Sequence, residues 1–226
     1  MSPVKPLPQP VAPVALTPDQ RRIAHMAASI LLDYPDAQRR AAWPAVADAV
    51  TSLPLVIEEH FHRFLNAMAD AGAEALEQNF VATFDLKRKC AMYLTYYAAG
   101  DTRKRGMALV RFIEAYRAAG CEPSDEELPD YLPAVLEFSA ASASPVAIDL
   151  LAAHRDGIEV LRAALTAMQS PYLHLIEAVA ASLPEIDDAT RERYLSLVND
   201  GPPTELVGLT FLGDLKPYSA REEVGA

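Results

Sequence analysis

Cationic side chains are concentrated in one tyrosine-rich stretch, residues 85–106, of an otherwise acidic chain. The chain has 226 residues and a formal net charge of −11 at pH 7. The stretch contains six lysines and arginines on either side of its tyrosines: Lys87, Arg88, Lys89, Arg103, Lys104 and Arg105. Such groups bind carboxylates and phosphates, and arginine binds them in a bidentate manner. We call residues 85–106 the basic segment and predict that it binds acidic groups of this protein or of a ligand.

Three of these cations, residues 103–105, come at the predicted start of a helix. Each positive charge destabilises a helix N-terminus by some tenths of a kcal/mol to about 1 kcal/mol. Their position therefore indicates acidic partners. These partners are either internal, such as Glu127, Asp130 and Glu137, or they are carboxylates or phosphates of a ligand.

The sequence lacks the motifs of the common catalytic and metal sites. Gly100 and Gly106 bracket the second group of cations, but a phosphate-binding loop requires a lysine followed by serine or threonine. His60 and His62 are two residues apart, so on a helix they point to different sides and do not bind one metal ion together. No serine lies in a nucleophile elbow, and neither cysteine has a histidine nearby in sequence. We therefore predict no catalytic residue, no metal site and no enzymatic activity.

Composition favours a globular cytoplasmic protein. Apolar residues make up 51% of the chain and charged residues 23%. No apolar run approaches the roughly 18 residues of a membrane span, and the first residues do not read as a signal peptide. We expect the two cysteines to be reduced thiols. The negative charge disfavours nucleic acid as a partner, although a regulatory module that binds an anionic nucleotide or nucleic acid through the basic segment is an alternative.

The elements that must position the basic segment are helices, because the apolar residues recur with a helical period from Thr17 onward. The predicted helices cover 18–33, 39–51, 54–70, 73–99, 103–119, 127–142, 145–168 (with a break at Gly157 left open), 171–183 and 188–199. No stretch alternates apolar and polar residues long enough for a convincing strand. The predicted fold class is all-α, with one helical domain over 17–200. A disordered, proline-rich arm over 1–16 precedes it, and an irregular tail over 201–226 follows it.

A helix through residues 80–99 would place its core residues on one side and a mixed row on the other. That row has spacings of four, three and four residues: Asp85, Lys89, Met92 and Tyr96. Arg88 lies beside it. A thioether and a phenol on a surface are typical of a site that accommodates another chain. The alternative is that Met92 and Tyr96 pack beneath a neighbouring helix.

A second candidate stretch, Asp130, Tyr131 and Leu132, lies between Pro129 and Pro133. The prolines restrict the local backbone and hold the three side chains at a rigid helix start.

Three stretches, "FDLKRKCAMYLTYYAAGDTRKRGMALVRF", "ELPDYLPAVLEF" and "SPYLHLIEAVAASLP", resemble the NarJ family, often called the delta subunit of respiratory nitrate reductase. The resemblance runs from about Ile23 to Val207. One position departs from the family motif Leu-Pro-Asp-His-Leu-Pro, because Tyr131 stands in place of the histidine. A role that depends on imidazole titration is therefore not carried over. The stretch "GDTRKRG" matches the basic turn of the family, so Arg103 and Arg105 are candidates for a shared function.

The resemblance implies the fold of the redox-enzyme maturation chaperones, the NarJ/TorD-like chaperones of molybdenum-containing reductases that bind twin-arginine leaders. It implies a chaperone that holds the nitrate reductase alpha subunit in the cytoplasm through its N-terminal segment, and transiently the alpha–beta complex. While held, the apoenzyme would receive molybdopterin guanine dinucleotide and an iron–sulfur cluster, and would then dock on the membrane subunit. The chaperone itself would bind no cofactor stably and would not insert into the membrane. Direct carriage of the molybdenum cofactor on the basic segment is an alternative.

We therefore expect eleven partner-binding residues: Asp85, Arg88, Lys89, Met92, Tyr96, Arg103, Arg105, Asp130, Tyr131, Leu132 and Glu137. A leader that forms a short basic amphipathic helix would bury about three apolar side chains, each contributing about 1.5–3 kcal/mol. Ordering the peptide costs about 2–5 kcal/mol, and the loss of rigid-body freedom costs more. The expected affinity is about micromolar to sub-micromolar.

Overall fold

The computed structural model describes residues 11–100, 102–124, 126–142 and 144–184. The α-helices in these ranges are α1 (Pro18–Leu32), α2 (Ala37–Ala41), α3 (Trp43–Val50), α4 (Leu55–Met68), α5 (Ala73–Phe80), α6 (Leu94–Ala99), α7 (Lys104–Ala118), α8 (Leu132–Ala141), α9 (Val146–Ala153), α10 (Arg155–Met168) and α11 (Tyr172–Ser182). A π-helical turn (Val81–Asp85) and a 3-10 turn (Arg88–Cys90) separate α5 from α6. The described residues form no β-strand, so the predicted all-α fold class is confirmed. None of the helices described combines the length and the hydropathy that crossing a bilayer requires.

Helix α1 packs against α3, α8 and α11, and it starts where the sequence predicts. The Thr17 hydroxyl accepts a hydrogen bond from the Gln20 backbone N–H at 3.2 Å. The Gln20 side chain in turn accepts one from the Thr17 N–H at 3.1 Å. This capping box, together with Pro18 at the first helical position, fixes the start of the helix.

An aromatic cluster ties the end of α5 and the π-helical turn to α4 and α11. The ring centroid of Tyr172 lies 5.1 Å from that of Phe64 and 4.8 Å from that of Phe84. Phe80 and Phe84 are 5.0 Å apart. Tilted and edge-to-face pairs of this kind contribute about 0.5–1.5 kcal/mol each beyond the area they bury. The cluster therefore holds the segment after α5 against the core.

The helix predicted over 73–99 is wrong as a continuous element, because α5 ends at Phe80 and α6 begins only at Leu94. Between them the Tyr97 hydroxyl donates to the backbone carbonyl oxygens of Ala91 at 2.8 Å and Lys89 at 3.2 Å. The backbone N–H of Leu94 bonds to residue 130 instead of to its own chain neighbours. Tertiary hydrogen bonds thus override the helical periodicity of the sequence.

Three further helix boundaries differ from the prediction. The helix predicted over 127–142 begins at Leu132, and the one predicted over 39–51 is the pair α2 and α3, with Pro44 in the first turn of α3. The helix predicted over 145–168 is the pair α9 and α10, which meet at His154 rather than at Gly157. A Cβ atom on Gly157 would lie 2.7 Å from the Tyr97 ring. Gly157 therefore allows close packing of α10 on α6.

Residues 11–16 lie on the body of the protein. Val11, Val14 and Leu16 pack against the core, and the Val14 N–H donates to the Ala181 carbonyl oxygen at 2.8 Å. These residues differ from the free arm predicted over 1–16. Residues 1–10, the helix predicted over 188–199 and the tail predicted over 201–226 lie outside the described residues.

Candidate binding cleft

Two short extended segments, 92–94 and 130–132, pair with each other next to the basic segment. The Leu94 N–H donates to the Asp130 carbonyl oxygen at 3.0 Å, and the Leu132 N–H donates to the Met92 carbonyl oxygen at 2.7 Å. Tyr93 and Tyr131 form an isolated antiparallel bridge at the centre, with ring centroids 5.6 Å apart. Each segment leads directly into a helix, α6 or α8. The pairing therefore places two helix N-termini side by side.

The Asp130 side chain caps a helix to which it does not belong. One carboxylate oxygen accepts hydrogen bonds from the Thr95 backbone N–H at 3.0 Å and from the Thr95 hydroxyl at 2.6 Å. Thr95 is the second residue of α6, whose first N–H groups have no partner within the helix. A carboxylate at this place satisfies one such donor and interacts favourably with the helix dipole.

A cleft with a volume of about 570 Å³ opens in front of the paired segments. We call it the aromatic cleft. It is lined by four parts of the chain that are distant in sequence: Asp33, Tyr34, Phe80, Phe84, Asp85, Lys87, Arg88, Ala91, Met92, Tyr93, Tyr96, Arg105, Glu127 and Tyr131. Its volume lies within the about 300–1,000 Å³ that is usual for ligand sites.

The apolar wall of the aromatic cleft continues the protein core. Phe80, Phe84 and Met92 are nearly buried, with relative exposures of 5%, 6% and 4%. Tyr34 is exposed, and its ring meets Phe80 edge to face at 5.5 Å. This wall is held in place by core packing, so it offers a preformed apolar surface to a ligand.

Charged groups of both signs line the cleft in equal number: Asp33, Asp85 and Glu127 against Lys87, Arg88 and Arg105. The Arg88 Nε donates to the Tyr96 hydroxyl at 3.0 Å. The Arg105 guanidinium lies 5.3 Å from the centroid of the Tyr93 ring, in a cation–π arrangement. The cleft can therefore bind both anionic and cationic groups of a ligand.

Two tyrosine hydroxyls donate to carboxylates at the edge of the cleft. Tyr131 donates to Asp33 at 3.3 Å, and Tyr93 donates to Glu127 at 3.1 Å. Burial, and then the neighbouring Glu127, raises the pKa of Tyr93 to about 12. Burial, and then Asp33, likewise raises the pKa of Tyr131. Both hydroxyls therefore stay protonated and act as donors at physiological pH.

The aromatic cleft brings together six of the eleven predicted residues: Asp85, Arg88, Met92, Tyr96, Arg105 and Tyr131. They do not form the helical row that the sequence predicts, because residues 85–96 are not one helix. Met92 and Tyr96 are only 4% and 7% exposed. The alternative, in which these two side chains pack inside the protein, is therefore the one observed, and only their edges reach the cleft.

The other five predicted residues lie elsewhere. Lys89 and Arg103 are exposed outside the cleft lining, and Asp130 and Leu132 are fully buried behind it. Glu137 lines a neighbouring cavity of about 340 Å³ beside Tyr116, and Glu127 lines both this cavity and the aromatic cleft.

The Arg105 guanidinium and the Asp130 carboxylate share a hydrogen-bond partner, the Thr95 hydroxyl. Among the described ion pairs, none joins Arg103 or Arg105 to Asp130 or Glu137. Instead the Arg105 Nε donates to the Thr95 hydroxyl at 3.4 Å, and that hydroxyl donates to Asp130. Arg105 thus reaches Asp130 through Thr95.

Sequence reasoning missed the opposite wall of the cleft. Asp33 and Tyr34 follow α1, and two contacts between residues distant in sequence, Tyr131 with Asp33 and Tyr34 with Phe80, bring them to the site. Helical periodicity places Phe80 and Phe84 in the core, and in the structure they also line the cleft. No local pattern marks these residues as part of a site.

A second depression, which we call the apolar groove, lies between α1 and α3 and has a volume of about 530 Å³. Ile23, Met26 and Ile30 of α1 form one side, and Ala45 and Ala49 of α3 form the other. Its charged residues are Asp19 and Arg22. The apolar groove is therefore less suited than the aromatic cleft to a ligand with several charges.

The described residues form an all-α fold with an amphipathic cleft whose apolar wall continues the core. Comparison with known families makes the assignment specific. The sequence profile described as "Nitrate reductase delta subunit" matches residues 37–178. The chain belongs to this family, and the resemblance found in the sequence is confirmed.

Curated relatives support the same family. The chain is 34% identical to the Bacillus subtilis protein named "Probable nitrate reductase molybdenum cofactor assembly chaperone NarJ". The alignment spans 169 residues, which are 74% of this chain and 91% of the relative. It is 26% identical over 183 residues to the Escherichia coli K12 "Nitrate reductase molybdenum cofactor assembly chaperone NarJ", covering 79% and 78%. The "Nitrate reductase-like protein NarX" of Mycobacterium tuberculosis is 34% identical over 152 residues, which are 67% of this chain and 23% of that protein.

Proposed function

We propose that the protein is a non-catalytic assembly chaperone for a respiratory nitrate reductase, and that it holds the N-terminal segment of the alpha subunit in the aromatic cleft. The names of the Bacillus subtilis and Escherichia coli relatives support the chaperone role. The observation that carries the proposed site is the cleft itself, in which a core-supported aromatic wall stands beside acidic and basic groups.

The cleft chemistry suits a basic amphipathic leader. Apolar side chains of the leader would pack on Phe80, Phe84 and Met92, and each would contribute about 1.5–3 kcal/mol when buried. Its cations would pair with Asp85 and Glu127, which are both exposed. The net charge of −11 would also speed capture of a cationic segment, and added salt would weaken this attraction.

In this proposal the chaperone acts in the cytoplasm before the reductase reaches the membrane. It keeps the alpha subunit, and transiently the alpha–beta complex, competent to receive molybdopterin guanine dinucleotide and iron–sulfur clusters. It then releases its partner and is not part of the finished enzyme. A dissociation constant of about micromolar or below is consistent with a chaperone that must release the alpha subunit.

The test is fluorescence anisotropy with a labelled peptide of the alpha-subunit N-terminus. The double variant Asp85→Lys/Glu127→Lys is expected to bind about 10-fold more weakly, because it replaces two attractive charges by repulsive ones. The double variant Asp70→Lys/Glu114→Lys makes the same charge change at two exposed carboxylates outside the cleft and is the matched control. Its affinity should fall much less, by an amount that 500 mM NaCl removes.

A third variant distinguishes binding of the leader in the aromatic cleft from binding in the apolar groove. Ala45→Phe fills the apolar groove, and Ala45 is exposed, so the substitution is expected to fold. Loss of binding in Ala45→Phe, with unchanged binding in Asp85→Lys/Glu127→Lys, would place the leader in the apolar groove and reject the aromatic cleft. No binding by the wild-type protein would reject the proposed partner segment.

Three cations in the cleft favour a second candidate function, direct carriage of the molybdenum cofactor by its phosphates. Lys87, Arg88 and Arg105 all line the aromatic cleft. Cofactor that co-purifies with the protein from cells lacking the alpha subunit would support this function. Cofactor found only when the alpha subunit is present would reject it.

A further inference from the structure

Three potential metal ligands meet at the interface between α4 and α11. His60 projects from α4, while His174 and Glu177 are three residues apart on α11 and therefore share one face of that helix. Their ligand atoms all lie within 4.8 Å of one another. None of the three lines the aromatic cleft.

Two of the three distances match those between ligands of one metal ion, and the third, between the two imidazoles, is at most 4.8 Å. The Glu177 Oε2 lies 3.4 Å from the His60 Nδ1 and 3.5 Å from the His174 Nδ1. In a tetrahedral site with metal–ligand bonds of about 2.1 Å, neighbouring ligand atoms are about 3.4 Å apart. The Glu177 oxygen therefore lies as far from each imidazole nitrogen as two ligand atoms of one tetrahedral metal ion lie from each other.

The Nδ1 atoms of both imidazoles also lack a hydrogen-bond partner among the described residues. The Nδ1 atoms of His60 and His174 are shielded from solvent and form no hydrogen bond with the described residues. Buried polar atoms nearly always have a partner, so these two require an explanation. His25 shows the contrast, because both of its ring nitrogens are hydrogen-bonded at 2.8 Å.

We propose that His60, His174 and Glu177 form a binding site for a divalent transition metal ion, with Zn²⁺ as the chemically matched choice. Two imidazoles and one carboxylate are ligands that Zn²⁺ accepts. A fourth position would be open to water or to a ligand from outside. The ion would link α4 to α11. The sequence analysis predicts no metal site because it compares His60 only with His62, whereas the proposed site joins two helices that are distant in sequence.

The test uses the full chain with any affinity tag removed and metal stripped by chelator. Isothermal titration with ZnCl₂ should give one site per chain. At 100-fold excess over the dissociation constant, Zn²⁺ should raise the Tm by about 5 °C or more. Co²⁺ should give the intense visible absorption bands of a tetrahedral site.

The variants His174→Gln and Glu177→Gln should each weaken binding more than about 100-fold, since even outer-shell substitutions cost about 10–100-fold. His62→Gln is the matched control, because His62 lies on α4 two residues from His60 and contacts Glu58 at 3.4 Å instead of Glu177. It should bind as the wild type does. Circular dichroism checks that each variant is folded, and the two ligand variants act on different side chains, so one misfolded variant does not end the test. Absence of a Zn²⁺-induced Tm shift in the wild type, or wild-type affinity in either folded ligand variant, would overturn the proposal.

Discussion

The Asp130 carboxylate and the backbone N–H of Thr95 are joined by a 3.0 Å hydrogen bond that caps α6 from another part of the chain. The residue lies 35 positions from its partner and is fully buried. Asp130 therefore acts on the candidate site by fixing the start of α6, beside Tyr93 and Tyr96, and not by touching a ligand.

The substitution Asp130→Ala should lower the free energy of unfolding by about 2–3 kcal/mol, because it removes a helix cap and leaves the buried Thr95 N–H without its acceptor. Asp130→Asn keeps an acceptor oxygen and should cost less. Urea denaturation measures both. Glu137→Ala, an exposed carboxylate on α8, is the control and should change stability by less than about 0.5 kcal/mol. Equal unfolding midpoints for Asp130→Ala and Glu137→Ala would show that the cap is unimportant.

A buried charge cluster on α10 should be a second point of high sensitivity. Arg155 donates to Glu159 at 3.1 Å, to the Pro184 carbonyl oxygen at 3.0 Å and to the Val11 carbonyl oxygen at 3.3 Å. Arg155→Ala leaves the Glu159 charge buried with one partner fewer, so we expect a loss of about 3–5 kcal/mol in chemical denaturation.

The control for Arg155→Ala is Arg63→Ala, which removes an exposed ion pair with Glu59. Pairs of this kind contribute about 0–0.5 kcal/mol. If the two arginine variants unfold at similar denaturant concentrations, Arg155 does not hold the cluster together.

Two glycine-to-alanine substitutions should have opposite effects. Gly157→Ala places a methyl group 2.7 Å from the Tyr97 ring and should destabilise by about 1–3 kcal/mol through overpacking. Gly106→Ala lies within α7 with no atom near its new Cβ, and should stabilise by about 0.5–1 kcal/mol. The Tm values from thermal unfolding test both signs, and a stabilising Gly157→Ala would contradict the close packing of α6 and α10.

His25 should make stability depend on pH. Its Nε2 donates to the Ser182 hydroxyl, because that hydroxyl already donates to the Val179 carbonyl oxygen; the Nδ1 then accepts from Ser139. Burial, with a smaller effect of Arg21, lowers the pKa of His25 from 6.5 to about 3. Below pH 6.5 the unfolded chain takes up a proton that the folded protein does not bind. Stability should therefore fall as the pH falls through this window, at up to about 1.4 kcal/mol per pH unit.

The measurement is urea denaturation of the wild type and His25→Gln from pH 7 to pH 4.5. The stability advantage of the wild type should shrink by about 2 kcal/mol over this range. Gly106→Ala, which alters no titratable group, should keep the wild-type pH dependence. A constant difference between the wild type and His25→Gln would show that His25 does not contribute.

Helix starts were predictable because their signals are local. Helix α1 starts at Pro18 as predicted, and the starts predicted at 145 and 171 lie within one residue of those of α9 and α11. The interior of the 73–99 range was not predictable in this way, since residues 91–93 take their conformation from hydrogen bonds to residues 130–132 and to Tyr97. Hydrophobic periodicity shows which side chains are apolar, but it does not show which backbone groups form hydrogen bonds with residues distant in sequence.

The candidate site was predictable only on one side. Unusual composition marked Asp85, Arg88, Arg105 and Tyr131, which do line the cleft. Asp33 lies opposite them through a contact that spans 98 residues, and sequence spacing carries no record of it. For the same reason, sequence spacing does not show that His60 and His174 lie close together.

The bridge between Tyr93 and Tyr131 has a consequence for measuring how the protein opens. Two main-chain hydrogen bonds join the segments on which these tyrosines lie, and their donors are the amides of Leu94 and Leu132. Deuterium uptake at these two amides therefore reports separation of the segments, whereas amides inside α1 or α11 exchange when the helices themselves unfold. A bound leader peptide that spans both segments would slow uptake at Leu94 and Leu132 together.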